Sequence, residues 1–140
     1  MIKVLLLVAI AMIVAVSCAT KFAHGSQKAQ REPLPAFTNV GVEGFQTLIA
    51  DAAVQLLDVR TAEEFAEGHI AGAVLVDVNE DGFVERAMAV IDPSRPVAVY
   101  CRSGRRSARA AILLATEGLK VTNLDGGVIA WQDARKDLIK

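Results

Sequence analysis

The chain of 140 residues has little aromatic, cysteine or histidine content: one Trp, one Tyr, five Phe, two Cys and two His. With so few stacking side chains, and with its basic residues concentrated in one segment, it has no nucleic-acid-binding signature. Two histidines and two cysteines at these positions do not make a metal site, and no cofactor is expected. Charge of one sign is also lacking. Fifteen basic residues face sixteen acidic ones, for a net charge of −1. No internal repeat is found. What is present is unevenly distributed: hydrophobic residues make up 53% of the chain, but this figure is inflated by one run at the N-terminus.

That run, Val4 to Val16, is thirteen uninterrupted apolar residues preceded by Lys3. A basic residue followed by an apolar stretch of this length is a signal-peptide pattern, and it is short for a span of about twenty residues. Ala15-Val16-Ser17-Cys18 resembles the lipobox of bacterial lipoproteins, in which the cysteine is lipidated and becomes the mature N-terminus. Alanine stands where leucine is commoner. The rival reading is an uncleaved anchor from Val4 to about Thr20, at the lower limit for crossing a bilayer. Both readings place the rest of the chain outside the cytoplasm and at a membrane, on the periplasmic face or in the cell envelope of a bacterium. Residues 1–17 are then a signal peptide. Residues 18–36, polar and lacking apolar periodicity, are a tether. Residues 37–140 are one folded domain, expected to be a monomer. With Cys18 lipidated, Cys101 has no disulfide partner and stands as a free thiol in an oxidising compartment.

Cys101 lies in the most informative segment. It ends the apolar run Val97-Ala98-Val99-Tyr100 and is followed by Arg102-Ser103-Gly104-Arg105-Arg106-Ser107 and then a helical pattern. At a strand-to-helix turn, free backbone N–H groups and the positive end of the helix dipole converge. Together with nearby guanidinium groups they lower a thiol's pKa from about 8.5 toward neutrality, which makes a thiolate nucleophile. From Pro93 to Thr116 the chain has five arginines (95, 102, 105, 106 and 109) and no acid. The local field favours an anion.

Along the domain, short apolar runs alternate with helical patterns. Phe45, Leu48 and Ile49 fall on one face of a helix over 42–52. Val54 to Val59 is a strand. Thr61 and Glu64 have the spacing of a capping box, opening a short helix that ends at Gly68. Ala73 to Val76 is a second buried strand, residues 82–91 a helix, and Val97 to Tyr100 a third strand. A helix over 105–117, a strand from Val121 to Leu124 and a helix from Val128 to Leu138 complete the pattern. Phe37 to Val40 is a weaker strand signal. Such alternation predicts a parallel sheet covered by helices on both faces, with ligands bound beyond the carboxyl ends of the strands. Cys101, Asp58, Asp77 and Asp125 all fall at such ends.

Three segments stand out: Leu57-Asp58-Val59-Arg60-Thr61 with Glu64-Phe65, Gly68-His69-Ile70 and Gly72-Ala73; then Tyr100 to Ser107; then Asn123-Leu124-Asp125-Gly126-Gly127 with Trp131. Together they resemble the rhodanese family of sulfurtransferases. The resemblance runs from about Thr38 to Leu138. It implies a three-layer α/β/α sandwich with a five-stranded parallel sheet and a single catalytic domain. It also implies that Cys101 holds the transferred sulfur as a persulfide. The donor would be a small anion such as thiosulfate, and the acceptor a thiol or a cyanide-like nucleophile. Four residues separate Cys101 from Arg106, one fewer than in the related cell-cycle phosphatases, and the shorter loop suits a sulfur atom better than phosphate or arsenate. The alternative is a persulfide carrier or sulfur-sensing module that serves a membrane partner without turnover.

On this reading the N–H groups of residues 102–106 form a nest for the anionic sulfur. Arg102, Ser103, Gly104, Arg105 and Arg106 bind the substrate, with Arg102 and Arg105 orienting the donor's oxygens and Gly104 allowing the tight turn. Two roles are open to Arg106: facing the donor, or pairing with a carboxylate to hold the turn. Asp58 and Arg60 are supporting residues. Asp58 is expected to accept hydrogen bonds from neighbouring loops, and Arg60 to pair with Glu64 in competition with the capping box. His69 is either a general base or a satisfied loop histidine, and Trp131 is core or a lid.

Overall fold

Residues 36–140, the part that the computed structural model describes, form a parallel five-stranded sheet covered by helices on both faces. The expected signal segment, Cys18 and the tether as far as residue 35 lie outside the described residues. The elements run β1 (Thr38–Val40), α1 (Val42–Ile49), β2 (Gln55–Asp58), α2 (Ala62–Glu67), β3 (Val74–Leu75), α3 (Phe83–Val90), β4 (Val97–Tyr100), α4 (Arg105–Thr116), β5 (Val121–Leu124) and α5 (Gly127–Asp133). The sheet order is β1-β5-β4-β2-β3, with every pairing parallel. This is the predicted three-layer α/β/α sandwich.

The two-residue period of the strands divides the core. On β4, Val97 and Val99 face α3 and α4 and pack with Leu57, Ala87, Ala110, Ala111 and Leu114. Ala98 and Tyr100 face the opposite layer and pack with Phe45, Leu124, Val128 and Trp131 of α1, β5 and α5. All four β4 residues are buried, as expected of a central parallel strand. The buried side of α4 is Ser107, Ala110, Ala111 and Leu114, the i, i+3, i+4, i+7 stripe of an amphipathic helix. Its two alanines let the helix lie close on the sheet.

The sheet order also fixes where the loops part. From β2 the chain moves outward to β3, and from β4 it moves the other way to β5. Between the carboxyl ends of β2 and β4 the connections therefore diverge, leaving the crevice in which open α/β sheets bind ligands. The Asp58–Arg60 turn borders one side and the Cys101 turn the other.

Two elements differ from expectation. The second buried strand is only Val74–Leu75, at the sheet edge, with Val74 45% exposed. An edge strand has one neighbour, and the chain soon turns inward to bury Val76 and Val78 beside α3. The last helix stops at Asp133 instead of reaching Leu138. Arg135 takes a left-handed conformation (φ 58°), and Lys136 N–H closes back on the Trp131 carbonyl at 3.1 Å. This is a helix-terminating turn. The tail then pairs Ile139 with His69 through two 2.8 Å backbone hydrogen bonds. Among the described residues no helix is long and apolar enough to cross a membrane.

Candidate active site

Cys101 follows β4 directly, and the strand's alternation sends its side chain to the same face as Val97 and Val99. There it lies under the start of α4, fully buried. Gly104 N–H donates to Sγ at 3.1 Å, and the Ser107 hydroxyl donates at 3.3 Å. The Ser103 and Ser107 amides act on the same sulfur. Ser107 is the third residue of α4, where helix N–H groups have no partner inside the helix. Burial pushes the Cys101 thiol up, but the Ser107 hydroxyl and these three amides outweigh it, leaving the thiol below its ordinary value. The depression thus rests on hydrogen bonding, and the guanidinium groups expected to add to it are not among its main causes. The nest is also shifted: its identified donors are residues 103, 104 and 107, not the whole run 102–106.

The turn is clamped from behind by α5. Val128 N–H donates to the Cys101 carbonyl at 2.9 Å, and Ile129 N–H to the Arg102 carbonyl at 3.1 Å. A Cβ on Gly127 (φ 57°) would fall within 2.6 Å of the Cys101 and Arg102 backbone, so no other residue fits there. Gly104 (φ 95°) has similarly little room, with Gly126 N at 3.2 Å and the Leu124 carbonyl at 3.3 Å from a Cβ. The Asp125-Gly126-Gly127 segment and the cysteine turn are therefore two halves of one backbone arrangement.

The arginines divide by partner. Arg60 does not pair with Glu64. It folds back on Asp58, two residues earlier, with Nη2–Oδ2 at 2.7 Å and Nε at 3.0 and 3.1 Å from the two carboxylate oxygens. Its Nη2 also donates to the Gly68 carbonyl at 2.7 Å, and its guanidinium lies 5.6 Å from the centre of the Tyr100 ring. Both members of this pair are buried. Asp58 accepts hydrogen bonds from the guanidinium and the backbone N–H of Arg60, in the loop that directly follows β2, and has Tyr100 beside it. The reason is local: the chain bends at Arg60, and Asp58 Oδ1 takes both the Arg60 N–H and its Nε at 3.0 Å.

Glu64 instead meets Arg106, with both oxygens 2.7 Å from guanidinium nitrogens. It also completes the Thr61 capping box, so one carboxylate serves the cap and the arginine together. Of the two roles open to Arg106, the structure shows the pairing. Arg102 and Arg105 are not brought together. Arg102 lines a cavity of about 430 Å³ with Arg60, Glu64, Glu67, Val128, Ile129, Gln132 and Leu138. Arg105 lines a separate cavity of about 410 Å³ with Ser103, Arg106 and Arg109.

His69 is held away from free rotation. It stacks on Phe65 with ring centres 3.7 Å apart, and Nδ1 lies 3.1 Å from the Phe65 carbonyl. It is a satisfied loop histidine. Trp131 is a core residue, edge-on to Phe45, with its indole N–H donating to the Asp137 carbonyl at 3.0 Å. The residues that the sequence left unassigned are Ser107, Gly127 and Arg109. Ser107 had a visible signal, a hydroxyl in the first turn of the helix after a cysteine. The close approach that demands Gly127 is a tertiary fact with no local signature.

An open parallel sheet with a buried cysteine in an amide-lined strand-to-helix turn defines a class of α/β protein suited to holding an anionic sulfur. More narrowly, the chain matches the rhodanese-like domain over residues 42–134 and belongs to the rhodanese family. It is 35% identical over 107 residues to thiosulfate sulfurtransferase 18 of Arabidopsis thaliana, covering 68% of this chain and 78% of that protein. A sulfurtransferase of Allochromatium vinosum is 38% identical over 91 residues, covering 64% and 82% respectively. The crystal structure of a rhodanese-like domain protein from Staphylococcus aureus is 27% identical, with a TM-score of 0.60 over 68% of this chain and 91% of that one. This family membership supports sulfur transfer as the general activity.

The Glu64–Arg106 pair predicts a pH-dependent stability. The Arg106 hydrogen bonds, opposed by burial and helped by the Thr61 amide, lower Glu64 from 4.5 to about 2. A carboxylate lowered in the folded state stabilises above its unfolded value, and that stabilisation is lost as pH falls through the folded one. Arg106→Gln should therefore lower the unfolding free energy by roughly 1–2 kcal/mol at neutral pH, allowing for the pair's partial exposure. Urea titrations should show the gap to wild type closing between pH 4.5 and about 2. A gap independent of pH would assign the loss to packing.

Proposed function

We propose that the protein is an exported, membrane-held sulfurtransferase that carries sulfane sulfur on Cys101. The observation that supports this most directly is the convergence of the Ser107 hydroxyl and the amides of residues 103, 104 and 107 on Sγ. These donors favour negative charge on sulfur, as an oxyanion hole favours it on oxygen. The thiolate attacks the outer sulfur of a donor such as thiosulfate, breaking its S–S bond. The bonding pair leaves with sulfite, and Cys101 becomes a persulfide with an anionic terminal sulfur. A thiolate acceptor then takes that sulfur and returns Cys101 to the thiolate, so charge and electrons balance in both halves. This is double-displacement covalent catalysis.

The names of similar proteins support thiosulfate as donor, since the Arabidopsis relative is called a thiosulfate sulfurtransferase. Location at a membrane rests on the sequence alone, through the apolar run Val4 to Val16 and the Ser17-Cys18 lipid-attachment pattern. Acyl chains contribute about 0.8 kcal/mol per buried CH₂, so a cysteine bearing several chains would stay on the bilayer.

Intact mass after incubation with thiosulfate should show one added sulfur on the wild-type protein and none on Cys101→Ser. Turnover with thiosulfate and cyanide should fall more than a hundredfold in that variant, a barrier increase above about 2.7 kcal/mol. If Cys101→Ser kept a tenth of wild-type turnover, Cys101 would not be the carrier. A persulfide that forms without turnover would redirect the reading to a sulfur carrier.

Mass spectrometry of membrane-extracted protein tests the location separately. It should find a lipidated N-terminus at Cys18, lost in Cys18→Ser. An intact Met1 with unmodified Cys18 would point to the uncleaved anchor instead.

A further inference from the structure

The two cavities beside the Cys101 turn differ in charge, and the difference bears on how a double-displacement enzyme separates its substrates. The cavity of about 410 Å³ is lined by Ser103, Arg105, Arg106 and Arg109, with no acid among its lining residues. Its cationic character is costly. These arginines stand at residues one, two and five of α4, whose first turn contains no acid, and like charge at the positive end of a helix is unfavourable. Glu64 pairs with Arg106, and Asp77 acts on that same guanidinium without a direct contact, so the acids nearby are spent on Arg106. Arg109 is oriented by neutral acceptors, with its Nη2 2.8 Å from Asn79 Oδ1 and 3.2 Å from the Val78 carbonyl, so its direction is fixed while its charge is not cancelled. Such a local conflict is expected where a ligand supplies the missing negative charge.

The cavity of about 430 Å³ is mixed. Arg60 is neutralised there by Asp58 and Glu64 by Arg106. The wall of Val128, Ile129 and Leu138 is apolar, and the lining also holds one further cation, Arg102, and one further acid, Glu67. A doubly charged oxyanion has no comparable preference for this side.

We propose that the Arg105–Arg109 cavity is the docking site of the anionic sulfur donor, with Arg109 as a donor-specificity residue, and that the acceptor uses the opposite, mixed cavity. This deepens the sulfur-transfer reading above and rests on it. In the first half-reaction Arg105 and Arg109 hold the sulfonate oxygens of thiosulfate while its outer sulfur meets Sγ. Sulfite carries the bonding pair away through the same cationic cavity. The acceptor thiolate then needs no contact with Arg109.

Ping-pong kinetics separate these steps, because kcat/KM for each substrate reports its own half-reaction. With full-length protein, thiosulfate as donor and a small thiol as acceptor, Arg109→Gln and Arg105→Gln should each lower kcat/KM for thiosulfate about tenfold, with kcat/KM for the acceptor kept within about twofold. Arg109→Lys should restore most of the loss. A singly charged organic thiosulfonate should suffer less than the thiosulfate dianion in both glutamine variants. Donor and acceptor constants falling together would assign Arg109 to structure and overturn the proposal, as would equal losses on the two donors. Failure of the underlying function looks different: wild-type protein would then take no sulfur from any donor, and both readings would fall.

Discussion

The site depends on the direction of two peptide groups. In a planar trans peptide the carbonyl of one residue and the N–H of the next point opposite ways. The Arg102 carbonyl is bonded to Ile129 N–H, so the Ser103 N–H is turned away from α5, toward the sulfur on which it acts. The Cys101 carbonyl is fixed in the same way by Val128 N–H. Helix α5 thus aims the Ser103 amide and holds the start of the cysteine turn in place. Gly127 is the condition for this, since any Cβ would collide with the Cys101 and Arg102 backbone. The dipole of α4 and the Ser107 hydroxyl complete an environment that lowers the thiol despite its burial.

Two carboxylate–arginine pairs hold the crevice around that turn, at different depths. Asp58–Arg60 is fully buried and links the end of β2 to Gly68 and Tyr100. Tyr100 in turn accepts the Ile70 N–H at 3.0 Å, and burial together with the neighbouring Asp58 carboxylate holds its phenol well above the usual range. A buried pair of this kind adds little net stability, but removing one partner would strand a charge. Its effect is to fix one wall. Glu64–Arg106 is half-buried and ties α2 to the first turn of α4. Among the described residues Arg102, Arg105 and Arg109 make no salt bridge, and they line the cavities beside the paired Arg60 and Arg106.

The parts of this arrangement that were legible in the sequence are those set by local chemistry. The bounds of β4 and β5 and the start of α4 follow from apolar runs ended by turn residues. The Thr61–Glu64 capping box was readable from spacing alone and is present. The short β3 was overestimated because an apolar run does not reveal whether it has one neighbour or two. The partner of Arg60 was misassigned because Glu64 is taken by the capping box and Arg106, while the bend at Arg60 leaves its guanidinium against Asp58 at i−2. The last helix was extended through Leu138 because its pattern stays amphipathic, whereas the left-handed turn at Arg135 depends on where Trp131 is anchored. Arg109 was counted in the sequence only as one of five arginines in an acid-free segment, and the fold places it in the lining of one cavity with Arg105.

These elements converge on one quantity, the charge state of Cys101. The most direct measurement is the pH titration of its thiolate ultraviolet absorbance in the folded protein. The hydrogen bonds on Sγ predict a midpoint below the ordinary thiol value of about 8.5, moving upward when the Ser107 hydroxyl is removed in Ser107→Ala. A midpoint at or above the ordinary value would mean that burial dominates and that the turn does not stabilise an anionic sulfur.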